Sequence, residues 1–183
     1  DDRGNTGSGG ALTDTDVVNI TVNSVNDAPA GGNATVSFAE DTSYTFSAAD
    51  FGFSDPNDAP ANALLAVRIA SLPGAGTLTN NAVAVNAGDF VTAADIALGR
   101  LVFTPAPNAN GAGYASFTFQ VQDNGGGSDL DPTPNTMSIN VSAVNDGPVN
   151  TAPASQSTTE DTPKAFSGAN LHQNSAADVD GGA

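Results

Sequence analysis

One pattern of thirteen residues occurs twice in this chain. VVNITVNSVNDAP at 17–29 aligns without a gap on TMSINVSAVNDGP at 136–148, Val17 falling on Thr136 at an offset of 119. Other landmarks recur in the same order. Upstream, Asp2-Arg3-Gly4 matches Asp123-Asn124-Gly125. Downstream, Ala39-Glu40-Asp41-Thr42 returns as Thr159-Glu160-Asp161-Thr162, and the aromatic-Ser pair Phe46-Ser47 returns as Phe166-Ser167. Asp55-Pro56-Asn57 lines up with Asp178-Val179-Asp180. Self-similarity at a fixed period marks one folding unit strung in series. The 183 residues then hold about one and a half units in an odd register. Residues 1–28 read as the C-terminal strands and linker of a preceding unit, 29–146 as a complete unit, and 147–183 as the N-terminal strands of the following one. Neither flank carries the strands that would cover its apolar face, so each is expected to be ordered only through a neighbouring repeat or another copy of the chain.

Within 29–146, alternation of apolar and polar residues predicts strands with one buried face. The inward sets are Val36 and Phe38; Tyr44 and Phe46; Leu65, Val67 and Ile69 with Arg68 outward; Leu101 and Phe103; Ala115, Phe117, Phe119 and Val121; Met137, Ile139 and Val141. By the same alternation Val18, Ile20 and Val22 form the inner face of the preceding unit's last strand. TAADIALG at 92–99 is the one helical turn, with Thr92 as N-cap and Gly99 as stop. Short strands separated by Gly, Pro, Asn and Asp turns predict an all-β, Greek-key β-sandwich of immunoglobulin-like size, in tandem.

Composition removes several kinds of chemistry. With no cysteine and one histidine, His172, which reads as a solvated loop residue, thiolate and multi-His metal sites are excluded. Four Lys and Arg against 20 Asp and Glu, a net charge of −16, make nucleic acid a poor partner. No apolar run in this segment is long enough to span a bilayer. The acids are themselves informative: 18 are Asp and only Glu40 and Glu160 are Glu. A merely solubilising surface would mix the two, whereas Asp and Asn concentrate in turns and offer oxygen ligands to hard cations.

These residues gather where strands end. Asn26-Asp27 and Asn145-Asp146 stand in the VNDAP and VNDGP linkers. Asp55, Asn57 and Asp58 share a Pro-containing turn, Asp123 closes the longest strand before a Gly run, and Glu40 and Asp41 lie between the first two strands. Calcium takes six to eight oxygen ligands, which such clusters supply. Read alone, NDAP is a turn and DPND a type I turn; their joint recurrence favours a metal role. Asp89 reads as a turn residue, Asp95 as a helix start, and Asp129 and Asp131 as loop charges.

The run YASFTFQVQDNGGG…NTMSINVSAVNDGP resembles the closing strands and linker of cadherin repeats. EDT, FSDPND, SLPGAGTL, LVFTPAPNANG and VNDAP together resemble the cadherin-like tandem repeats of giant bacterial surface proteins and repeats-in-toxin adhesins. The resemblance implies calcium between successive units. At the upstream junction it implicates Asn26 and Asp27 with Asp55, Asn57 or Asp58, and Asp123. At the downstream junction it implicates Glu40, Asn145 and Asp146 with Asp178 and Asp180, helped by Asn108 or Asn110. The linker is shorter than the cadherin DxNDN and no LDRE-like motif stands near Asn108, which implies fewer ions per junction.

The expected function is a calcium-stiffened spacer repeat of a large extracellular adhesin or surface filament on a bacterial cell. The alternative is a glycan- or protein-binding β-sandwich module of a secreted protein, its partner a cell-surface glycan or protein. Catalysis is not expected: Asp55 and Asp58 are a carboxylate pair, but a sugar-cleaving cleft needs aromatic walls, and there is no Trp and only Tyr44 and Tyr114.

Overall fold

Residues 15–147, 149–151, 159–161, 163 and 175–177 are described by the computed structural model. The strands are β1 Ala34–Ala39, β2 Tyr44–Thr45, β3 Leu64–Ile69, β4 Thr77–Asn80, β5 Val83–Ala84, β6 Phe90–Thr92, β7 Leu101–Thr104, β8 Gly111–Asp123 and β9 Asn135–Ser142; the alternating runs account for β1, β2, β3, β7, β8 and β9, while β4, β5 and β6 were not foreseen. A single helical turn, α1 Ala93–Ala97, stands where it was expected. Thr92 caps it by accepting the Asp95 N–H, and Gly99 follows in the left-handed conformation at φ 68°. A 3-10 turn at Ala48–Phe51 was not foreseen; Asp50 builds it by accepting from the Ser47 N–H at 2.7 Å and the Ser47 hydroxyl at 3.0 Å.

The strands form a five-stranded sheet ordered β1-β9-β8-β3-β6 and a four-stranded sheet ordered β2-β7-β4-β5. The chain switches sheet between β1 and β2, β2 and β3, β3 and β4, β5 and β6, β6 and β7, and β7 and β8. The product is an all-β, immunoglobulin-like sandwich. Phe46, Phe51, Phe103, Phe117, Phe119, Leu101, Met137 and Ile139 fill the space between the sheets. Phe51 meets Phe119 edge-on at 4.9 Å between ring centres and Phe46 meets Phe117 at 5.7 Å, the geometry in which aromatic quadrupoles attract. Among the described residues no helix is long and apolar enough to cross a membrane.

One inward assignment is corrected. Leu65 is 47% exposed, while Leu64 packs on the core and Ala66 and Val67 are both buried. The β3–β8 register shifts between Leu64 and Ala66, and a bulge of one residue turns the preceding side chain to the opposite face. The other inward residues named above for 29–146 line the core or pack against it.

The pairing of β1 with β9 decides where everything else lies. It is parallel, Ala34 opposite Met137 and Ala39 opposite Ser142. The first and last strands of the unit therefore run the same way, and the chain arrives at one pole and leaves at the other. Because β8 is antiparallel to β9, it begins at the downstream pole and delivers Asp123 to the upstream one. Glu40, directly after β1, lies at the downstream pole.

Residues 15–29 form no strand, and Val17, Val18, Ile20, Val22 and Val25 are 80–88% exposed. Their aligned counterparts Met137, Ile139 and Val141 are buried because β9 lies between β8 and β1. Residues 15–29 have no such neighbours among the described residues. Beyond the unit, β10 Val149–Thr151 pairs antiparallel with β11 Ser175–Ala177.

Candidate functional site

At the upstream pole, Asp123 is fully buried at the end of β8. Its Oδ1 accepts the Gly125 N–H at 2.8 Å, and both its oxygens face the Asn26 amide, at 3.3 and 3.4 Å. The same Asn26 Nδ2 donates to the Ser128 carbonyl at 2.9 Å. A Cβ at position 125 would run into the Asn26 and Asn62 side chains, so any residue but glycine there displaces these amides. The next linker residue, Asp27, donates its backbone N–H to Asp58 Oδ2 at 3.1 Å, and its side chain is exposed.

The turn after Ser54 supplies the rest. Asp55 Oδ2 accepts the Asn62 N–H at 2.8 Å, and Asn62 Nδ2 donates to Asp58 Oδ2 at 3.1 Å and also to Asn26 Oδ1. Asp55 and Asp58 are both buried. The second oxygen of Asp55, Oδ1, is buried with no hydrogen-bond partner. A hollow of about 220 Å³ lined by Ser24, Asn26, Asp58, Asn62 and Gly125 opens beside this network. The side chains of Asn26, Asp55, Asp58 and Asp123 thus share one network, which Asp27 joins through its backbone N–H alone, whereas Asn57 is exposed and lies outside it.

At the downstream pole Glu40 is only 1% exposed. Its Oε1 accepts the Val144 N–H at 2.9 Å and its Oε2 the Asn110 amide at 3.0 Å. Asp41 and Asn108 both take left-handed backbone conformations, φ 59° and 53°, and Asp41 Oδ1 receives the Asn108 N–H at 3.4 Å. Asn145 is exposed and its amide donates to the Asp146 carbonyl at 3.0 Å. Asp178 and Asp180, assigned to this junction, lie outside the described residues.

A family model for the bacterial Ig domain matches residues 26–131, more than half of the chain. The chain belongs to the bacterial Ig domain family. No curated protein and no solved structure matches it. The matched range starts at Asn26, inside the linker, and ends before β9, which nevertheless completes the Ig sandwich between β1 and β8.

Two residues of the Ig domain escaped the sequence reading. Asn62, which joins Asp55, Asp58 and Asn26, had no motif to mark it. Asp131, read as a loop charge, is buried. It accepts from the Gly31 N–H at 2.9 Å, Asn135 Nδ2 at 2.7 Å and the Thr133 N–H at 2.9 Å. The last of these is an Asx turn, visible in principle in Asp131-Pro132-Thr133; the contact with Gly31 is not local and left no trace in the sequence.

Asp89 closes a turn and Asp95 starts a helix. Asp89 Oδ2 accepts the Asn86 N–H at 2.7 Å. Asp95 is held below the usual carboxylate range by hydrogen bonds from Arg100 first, then from Thr92 and Asn80. Burial, then the charge and hydrogen bond of Asp50, push the Tyr44 hydroxyl up.

The donor chemistry of the upstream pole suits a hard cation: carboxylates of Asp55, Asp58 and Asp123 with amide oxygens of Asn26 and Asn62. Among the described residues no group of three or more acidic or His side chains converges closely enough to hold a metal as it stands. The carboxylates are instead spaced by the two amide side chains.

Proposed function

We propose that this Ig domain is a non-catalytic spacer repeat, cadherin-like in its use of calcium, from a tandem array in a large extracellular adhesin or surface filament. Calcium would sit at the junctions between units. Asn26, Asp27, Asp55, Asp58 and Asp123 would serve the upstream junction, with Asn57 at its rim. Glu40, Asn145, Asp146, Asp178 and Asp180 would serve the downstream one.

The observation that carries the metal assignment is the buried, partnerless Oδ1 of Asp55 beside the Asn62–Asp58–Asn26 network. A buried carboxylate oxygen without a donor is costly, and a cation is the partner that would remove the cost. Asp58 and Asp123, neighbours in the same network, gain from the same charge.

Two echoes support the tandem reading. Ala30 pairs antiparallel with Ser54 directly after the linker, and Val149 pairs in the same way with Ala177 after the second linker. Asp41 and Asp161, each following a Glu, share the left-handed backbone at φ 59° and 60°. The opposite poles of arrival and departure supply the elongation that a string of such units requires.

The test is thermal unfolding of the chain with calcium and with chelator. A dissociation constant of roughly 10⁻⁴ to 10⁻³ M is expected, the range of extracellular modules. At a hundredfold excess over that constant the stabilisation is about 2.7 kcal/mol. Asp55→Asn should abolish this gain while leaving the chelated protein at least as stable as the parent, since it removes the orphaned charge. Identical melting with calcium and with chelator would sink the metal assignment.

A further inference from the structure

Backbone N–H groups in the linker pattern and just after it end on carboxylates. Where the chain leaves the unit, Val144 N–H donates to Glu40 Oε1 at 2.9 Å. Where it arrives, Asp27 N–H donates to Asp58 Oδ2 at 3.1 Å and Gly31 N–H to Asp131 Oδ2 at 2.9 Å. Glu40, Asp58 and Asp131 are all buried, and each comes from a different loop. Around Gly31 the seat is close-fitting: a Cβ there would stand 2.6 Å from Asn135 Nδ2, and Ala30 exchanges two hydrogen bonds of 2.8 Å with Ser54.

We propose that these carboxylates are backbone clamps that set the direction of the linker without a metal ion, Glu40 at departure and Asp58 and Asp131 at arrival. Hydrogen bonds to charged acceptors are shorter and stronger than neutral ones. The linker cannot swing without taking a donor from a buried carboxylate, which then keeps only its other partners, Asn110 for Glu40, Asn62 for Asp58, and Asn135 and Thr133 for Asp131. Asp131 has no place in the cation network, so its clamp is independent of any ion. The proposal rests on the tandem reading in one respect: it transfers the Val144 clamp to Val25, its counterpart, through the Glu of the preceding unit. Calcium, where it binds, then adds to a linker already seated.

Amide hydrogen exchange on the full chain, read residue by residue by NMR in chelator, tests this directly. The Asp27, Gly31 and Val144 amides should be protected without calcium. Asp131→Asn should speed exchange at Gly31, and Glu40→Gln at Val144, by about tenfold or more, the scale of a lost charged hydrogen bond. Phe119 and Ile139 should exchange as in the parent. Protection of the three amides that appears only with calcium would overturn the proposal, because the ion would then seat the linker. Equal acceleration of the core amides in both variants would also overturn it, reducing the carboxylates to general stability. If either variant fails to fold, exchange in the unaltered chain in chelator still decides. The two readings fail separately: a chelator-insensitive chain with effective clamp variants removes calcium and keeps the clamps, and the reverse result does the opposite.

Discussion

Asp123 and Asp131 lie on one excursion of the chain, the first ending β8 and the second returning to donate its N–H to the Val121 carbonyl at 2.9 Å. Both are buried acceptors whose donors come from segments that would otherwise be loose. Truncation strands those donors, so Asp123→Ala and Asp131→Ala should each cost roughly 1–3 kcal/mol in chelator, read by denaturant unfolding. Asp89→Ala, which breaks a surface turn, should stay within about 0.5 kcal/mol. Equal effects of all three would contradict the distinction drawn from burial. Asp123 was legible because it closes an alternating strand before three glycines and its surroundings repeat. Asp131 was not, because its burial depends on Gly31, whose passage over it is a property of the folded unit. Asn62 was hidden for the same reason: an amide that bridges two aspartates in space has no fixed spacing from them in the chain.

Strands were readable wherever period two persisted for four or more residues, as in β8 and β9, because an alternating run has only one face to bury. The reading broke at β3, where the bulge after Leu64 makes Leu65 an outward leucine, and hydrophobicity alone cannot signal one inserted residue. It also passed over β4, β5 and β6, two to four residues long, and the 3-10 turn held by Asp50, all too short to show a clear period. Helix α1 was legible from its cap, and the cap makes a sharper prediction. Thr92→Ala removes the acceptor for the Asp95 N–H and should cost about 1 kcal/mol. Asp95 adds a pH dependence of known sign. Its folded pKa lies below the ordinary 3.8, so the stability it contributes is present above that value and lost as pH falls through the folded pKa. Asp95→Asn should therefore lower stability slightly at neutral pH, change it little below the folded pKa, and so flatten the acid limb of the stability curve below about pH 4; an acid limb identical to the parent's would refute the assignment.

At the scale of the molecule, the parallel pairing of β1 and β9 means that any strand filling the β9 position hands the chain on at the far pole. Residues 17–25 carry the β9 pattern, with Val18, Ile20 and Val22 in the places of Met137, Ile139 and Val141, yet they lie exposed. The same apolar stripe is a hazard as an open strand and a core face once flanked by a β8 and a β1. That difference is measurable at Ile20. In the chain as it stands, Ile20 is 83% exposed, so Ile20→Asp should change stability by no more than about 0.5 kcal/mol. In a longer chain, with residues 29–135 placed directly before Val17, the segment would become the ninth strand of the added unit. Ile20 would then take the position of Ile139, opposite Ala115 and Val36 and fully buried. There an unpaired aspartate replaces a core side chain, and Ile20→Asp should cost about 4 kcal/mol or more, unfolding the added unit ahead of the original one. Two melting transitions, with only the lower one moved by the substitution, are the expected result. If Ile20→Asp is as harmless in the longer chain as in the shorter, residues 17–25 are not the closing strand of a neighbouring unit, and the tandem reading falls with them.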